Sequence, residues 1–179
     1  MLANLGIALA AAIVVLLVVA ALKPARFRVE RRATIAAPPE RVYPLIADFR
    51  KWREWSPWEG LDPELRRTFS GAETGRGAVY AWDGNKQAGA GRMEITDAPA
   101  PTRVDIQLDF TRPFEAHNTT EFTLSPRDGS TEVVWAMHGP QPFMLRLISI
   151  FMSMEKMVGK DFEKGLAALE VVAEERRPA

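Results

Sequence analysis

Two histidines, His117 and His138, are the first residues to examine for acid–base chemistry, because histidine alone titrates near neutrality when unperturbed. His117 lies in an alternating run from Phe114 to Leu124. There it shares parity with Glu115, Thr119 and Glu121, which places it on the solvent side. His138 closes the run Thr131 to His138, opposite in parity to Val133, Trp135 and Met137. Both read first as surface histidines. Asn118 and Thr120 fall on the apolar parity of Ala116 and Phe122 and are expected to point inwards. A buried amide or hydroxyl needs a partner, whether backbone, water or ligand. Tyr80 and Trp82 alternate with Val79 and Ala81, so that either pair is able to face the interior.

Beyond these, the chemistry-bearing patterns are missing. There is no nucleophile elbow, phosphate loop, dinucleotide fingerprint or zinc motif. Glu94, Asp97, Asp105 and Asp109 are scattered without visible pairing, and no His and carboxylate set has metal-ligand spacing. With no cysteine, disulfides and thiol catalysis are excluded. Equal numbers of basic and acidic residues, 23 each, leave no excess charge to neutralise nucleic-acid phosphates. The reading therefore assigns no catalytic residue, no metal and no cofactor. Apolar residues at 47% and charged residues at 26% describe a globular chain.

The elements that must position these residues follow from periodicity. Apolar residues from about Met144 to about Val172, including Phe151, Met154, Phe162 and Leu169, recur in steps of three and four. This predicts one long helix of roughly 40 Å. Gly159 and Gly165 inside it suggest a bend or close approach of another backbone. Met144, Met152, Met154 and Met157 make its start apolar nearly all round. Such adaptable side chains serve a cavity, a membrane or a core equally well. Before it come a first strand near residues 27–35, a helix begun by Pro39 and interrupted by Pro44, and a short helix capped by Asp48. Trp52, Trp55 and Trp58 gather there, Trp52 and Trp55 on one helix face. About six further strands joined by short turns then imply antiparallel neighbours. Val104, Ile106, Leu108 and Phe110 form one apolar face, and Val133, Trp135 and Met137 another. Only the long helix is large enough to cover the sheet.

At the N-terminus, Leu2 to Leu22 is apolar or small apart from Asn4, a length that matches a bilayer core. A cleaved signal peptide fits less well, since no Lys or Arg precedes the run and Lys23-Pro24 follows directly. Lys23, Arg26, Arg28, Arg31 and Arg32 all follow it, which by the positive-inside rule holds the domain on the cytoplasmic side. Residues 1–26 are thus expected to be a transmembrane anchor with its basic flank, and residues 27–179 the folded domain.

The blocks Ala36-Ala37-Pro38-Pro39-Glu40-Arg41-Val42-Tyr43 and Ile46-Ala47-Asp48-Phe49-Arg50-Lys51-Trp52 resemble the START-like (SRPBCC) superfamily and its polyketide cyclase/dehydrase-like group. Trp55-Ser56-Pro57-Trp58, Gly77-Ala78-Val79-Tyr80, Phe122-Thr123-Leu124 and Thr131-Glu132-Val133-Val134-Trp135 extend the resemblance. It implies an α+β helix-grip fold, a curved antiparallel sheet of about seven strands wrapped around a long C-terminal helix, with an apolar cavity between them. Trp52, Trp55 and Trp58 read first as packing a short helix onto its neighbours, and the resemblance, whose family opens its cavity near these helices, offers an aromatic gate at the cavity mouth as the functional alternative. The leading expectation is a membrane-anchored domain binding a small hydrophobic molecule, a lipid, isoprenoid or polyketide-like compound. Tyr80, Trp82, Asn118, Thr120, Trp135 and Met137 are expected to contact it, together with Trp55, Phe151 and Met154. The alternatives are a cyclase or dehydratase in which Asn118, Tyr80 or His117 polarises an oxygen, and a membrane-tethered interaction module with a filled core. A pocket of roughly 300 Å³ or more separates the first two from the third.

Overall fold

The computed structural model describes residues 2–151 and 153–175. Its elements run α1 (Leu2–Leu22), β1 (Arg26–Ile35), α2 (Pro39–Ala47), a 3-10 turn (Phe49–Glu54), then β2 (Arg66–Gly71), β3 (Ala78–Asp83) and β4 (Ala90–Asp97). They continue with β5 (Arg103–Arg112), β6 (Ala116–Arg127), β7 (Ser130–Pro140), α3 (Phe143–Ile148) and α4 (Met154–Glu175). The seven strands form one antiparallel sheet in the order β1-β7-β6-β5-β4-β3-β2. Every neighbour except the β1–β7 pair is consecutive in sequence, as short turns require. At the β6–β7 hairpin Asp128 and Gly129 take φ of 42° and 82°, the two positive values that such a turn needs.

Parity decides which face is covered. Val104, Ile106 and Leu108 of β5, Phe122 and Leu124 of β6, and Val133, Trp135 and Met137 of β7 are all buried. α4 covers them with Phe162, Leu166, Leu169 and Ala173, each at most 2% exposed. Trp135 sits where sheet and helix meet. Its ring stacks on Phe162 at 4.1 Å and on Phe122 at 4.8 Å.

The single helix expected over residues 144–172 is instead two, broken between Ile148 and Met154. Serines mark the break. The Ser149 hydroxyl donates to the carbonyl of Arg146 at 2.7 Å, and the Ser153 carbonyl accepts from Lys156 and Met157, opening α4. Serine competes for backbone groups in this way, and apolar spacing alone does not register it. The glycines of α4 admit side chains rather than a second backbone. At Gly159 the Arg31 guanidinium lies across the helix to reach Glu155 at 2.7 Å and Glu163 at 2.6 Å. A side chain at Gly165 would collide with the Trp135 ring and Pro57.

α1 forms over the expected residues but stands apart from the sheet, its end tied to α3. Arg146 donates to the carbonyls of Ala21 and Lys23, and Lys23 Nζ donates to the Ser149 carbonyl at 2.7 Å. Ile7, Leu9, Val14 and Val15 of α1 are more than half exposed. Among the described residues no helix is long and apolar enough to cross a membrane, the side chains of Leu2, Ala3 and Leu5 lying outside them.

Candidate functional site

Pro44 keeps α2 short, so its last carbonyls come early and need donors. Tryptophans supply them. Trp55 Nε1 donates to Leu45 O and Trp52 Nε1 to Ile46 O, both at 2.9 Å. The Asp48 carboxylate caps the intervening turn by accepting from the Arg50 amide. The tryptophan group is thus built into the wall between α2, the sheet and α4. Phe49, Trp52 and Trp55 are no more than 3% exposed.

Between this wall, the sheet and α4 lies a pocket of about 170 Å³. β3 contributes Tyr80 and Trp82, while Met93, Leu108 and Thr120 come from β4, β5 and β6. β7 adds Trp135 and Met137, and Val158, Asp161 and Phe162 of α4 close the other side. The volume is below the roughly 300 Å³ set as a threshold for a drug-sized ligand. It is above the roughly 150 Å³ at which a dry apolar cavity takes up benzene. Gly91 makes room for it. The Trp82 ring lies directly over that glycine, where the register of β4 and β5 shifts by a bulge.

The question left open at β3 is answered by burial. Tyr80 is 3% exposed and Trp82 is half-buried, both on the pocket side. Tyr80, Trp82, Thr120, Trp135 and Met137 therefore come together around one cavity. The remaining expected residues do not. Asn118 is buried, but its amide packs over Gly139 rather than against the pocket. Trp55 lies behind Trp52, against Trp135 at 5.6 Å and outside the lining set. Phe151 follows α3 and is 74% exposed. The Met154 side chain, like all of Met152, lies outside the described residues.

The polar centre of the pocket is one that parity did not reveal. Glu59, next to Trp58, receives the Tyr80 hydroxyl hydrogen on Oε1 at 2.7 Å and Arg67 Nε on Oε2 at 2.6 Å. The Glu59 side chain is 9% exposed and that of Arg67 16%. Burial, and then the bond to Glu59, push the Tyr80 hydroxyl well above the usual tyrosine range, so it stays protonated and donating. The available signal was an acid directly after the tryptophan-rich run Trp55-Ser56-Pro57-Trp58. The histidines lie elsewhere. His117 is exposed and paired with Asp109 at 2.7 Å, while His138 meets Glu121 at 3.2 Å. Among the described residues no group of three or more His, Cys, Asp and Glu is arranged to hold a metal ion.

Comparison with known proteins agrees with this architecture. The family model described as "Polyketide cyclase / dehydrase and lipid transport" matches residues 26–174. Protein MLL2253 from Mesorhizobium loti superposes with a TM-score of 0.63 at 15% identity, covering 85% of this chain and 100% of that one. TTHA0849 from Thermus thermophilus gives 0.58 at 19% identity over 85% and 100% of the two chains. DynU16, from the dynemicin biosynthetic locus, gives 0.58 at 15% identity over 84% of this chain and 48% of its own. At such identities the likeness is one of fold. No curated protein sequence matches the chain.

Proposed function

The chain belongs to the polyketide cyclase / dehydrase and lipid transport family, and from that premise we propose that it is a membrane-anchored binding domain for a small hydrophobic molecule. The observation carrying this reading is the pocket of about 170 Å³ at the centre of an otherwise close-packed core. Its walls are mostly aromatic and aliphatic, with a few polar groups among them, chief of which is Glu59, bonded to Tyr80. A few fixed polar groups in an apolar cavity are what a ligand site of this kind consists of. The present volume suits a molecule or head portion not much larger than one aromatic ring.

The anchor belongs to the same reading. α1 is apolar or small apart from Asn4, carries no Asp, Glu, Lys or Arg, and exposes Ile7, Leu9 and Leu22. Counted from the sequence, with Leu2, Ala3 and Leu5 included, its 21 residues are about the number needed to cross a hydrocarbon core. The basic residues that follow put the domain on the cytoplasmic side. Native mass spectrometry of the full-length protein, released gently from membranes, tests the binding function. A co-purified small molecule is expected on the wild type and not on a pocket-filling Leu108→Trp variant that still folds. Absence of any adduct, or equal retention by the variant, speaks against it.

A further inference from the structure

The hydrogen-bonding character of the pocket wall is one-sided. Save for the indole N–H of half-buried Trp58, the donors are already used or shut away. Trp52 Nε1 is bonded to Ile46 O, Trp82 Nε1 to Ala88 O, and the Tyr80 hydroxyl to Glu59. Trp135 Nε1 is fully buried without a hydrogen-bond partner, and its ring is stacked on Phe122 and Phe162 with Trp58 edge-on. What faces the cavity is acceptor capacity. A carboxylate offers about four lone-pair sites, and Glu59 has given one to Tyr80 and one to Arg67. The Tyr80 oxygen keeps its own lone pairs, and Asp161 adds a second carboxylate at the margin. The hydroxyls of Ser56 and Thr120 act either way. No Lys, Arg or His lines the pocket. Arg67 stands behind Glu59, lining with Arg53 and Lys164 an outer cleft that shares Ser56 and Glu59 with the pocket.

Resting on the pocket reading above, we infer that the bound molecule has an apolar body and a hydrogen-bond-donating head, an alcohol or an amine, received by Glu59, and that carboxylates are rejected. An anionic head would meet the open oxygens of two carboxylates, whose cations, Arg67 on Glu59 at 2.6 Å and Lys164 on Asp161 at 3.6 Å, do not line the cavity, and like charges there repel more strongly than in water. A hydroxyl or ammonium head instead completes a bond to an ionised acceptor, roughly twice as strong as one between neutral partners.

Four probes of nearly equal size decide it: 2-phenylethanol, 2-phenylethylammonium, phenylacetate and ethylbenzene. Each is titrated into full-length protein in lipid nanodiscs and followed by tryptophan emission, to which Trp52, Trp58, Trp82 and Trp135 of the pocket report. The alcohol and the ammonium should bind at least tenfold more tightly than phenylacetate, and the alcohol several-fold more tightly than ethylbenzene. Glu59→Gln should narrow the gap between ammonium and phenylacetate to within about threefold. Phenylacetate binding as well as the alcohol would overturn the inference while leaving the pocket reading intact, as would an unchanged gap in Glu59→Gln. Saturable binding of none of the four would remove both. Should Glu59→Gln not fold, Tyr80→Phe takes its place. Releasing Oε1 must leave the gap at least as wide, and closure of the gap would assign the acceptor to Tyr80 and overturn the role of Glu59.

Discussion

The two most apolar regions of this molecule are built in opposite ways. Around Trp135, apolar side chains meet other side chains on every side: Phe122, Trp55, Trp58 and Phe162 all lie within 5.6 Å, centroid to centroid. In α1, α3 and the following turn many of them are exposed instead. Ile7 is 70% exposed, Met144 64% and Phe151 74%. Hydrophobicity by itself does not distinguish them; partner geometry does. The first region is finished by the fold, apart from a cavity with one polar centre. The second is left exposed by the fold.

Several substitutions sharpen that contrast. Phe162→Ala removes a ring stacked on Trp135 and should destabilise the domain by about 3–5 kcal/mol in denaturant unfolding, as core truncations of Phe do. Loss below about 1 kcal/mol would mean that the helix does not grip the sheet as described. Arg67→Met, which leaves Glu59 without its cation, should cost about 1–3 kcal/mol by the same measurement. No change would show that Glu59 is well solvated and not a buried pocket group. Phe151→Ser, at the exposed end, should leave unfolding within about 0.5 kcal/mol of wild type. A large loss there would erase the distinction between the regions. Deleting residues 1–23, just ahead of β1, should abolish carbonate-resistant membrane association and leave a folded, soluble domain. Persistent association would move the membrane contact to α3.

The smallest effect concerns the outer face of the sheet. The bond to Asp109 holds His117 above the ordinary histidine value, with Glu115 adding to it. A raised value means that this pair favours folding below the ordinary histidine pKa and ceases to as pH climbs through the raised one. In Asp109→Asn the His117 titration followed by NMR should fall towards the ordinary value. An unchanged titration would mean that the Asp109 contact does not form in solution.

Much of this was legible in the residues. Parity alone gave the inward placement of Val104, Ile106, Trp135 and Met137, because the side-chain period of a strand is two. It also set His117 outside. The seven strands and their turns followed from proline, glycine and Asp-Gly signals. Three features escaped. The break after α3 depends on serine hydroxyls that hydrophobic spacing ignores. Asn118 has the right parity for a pocket residue but lies one strand-end away, over Gly139, a displacement that only register and a missing side chain reveal. Glu59 lies in an irregular segment with no period at all, so nothing in its spacing brings it to Tyr80.

The central claim is that a small apolar molecule enters the pocket and does not merely adsorb to the exposed surface. Methionines report on the cavity and on the exposed surface of α3 and the start of α4. Met93 and Met137 line the cavity, whereas Met144 and Met157 are 64% and 49% exposed. With methionine methyls 13C-labelled in the full-length protein, intermolecular NOEs from bound 2-phenylethanol are predicted to Met93 and Met137, and not to Met144 or Met157. NOEs confined to Met144 and Met157 would contradict the account.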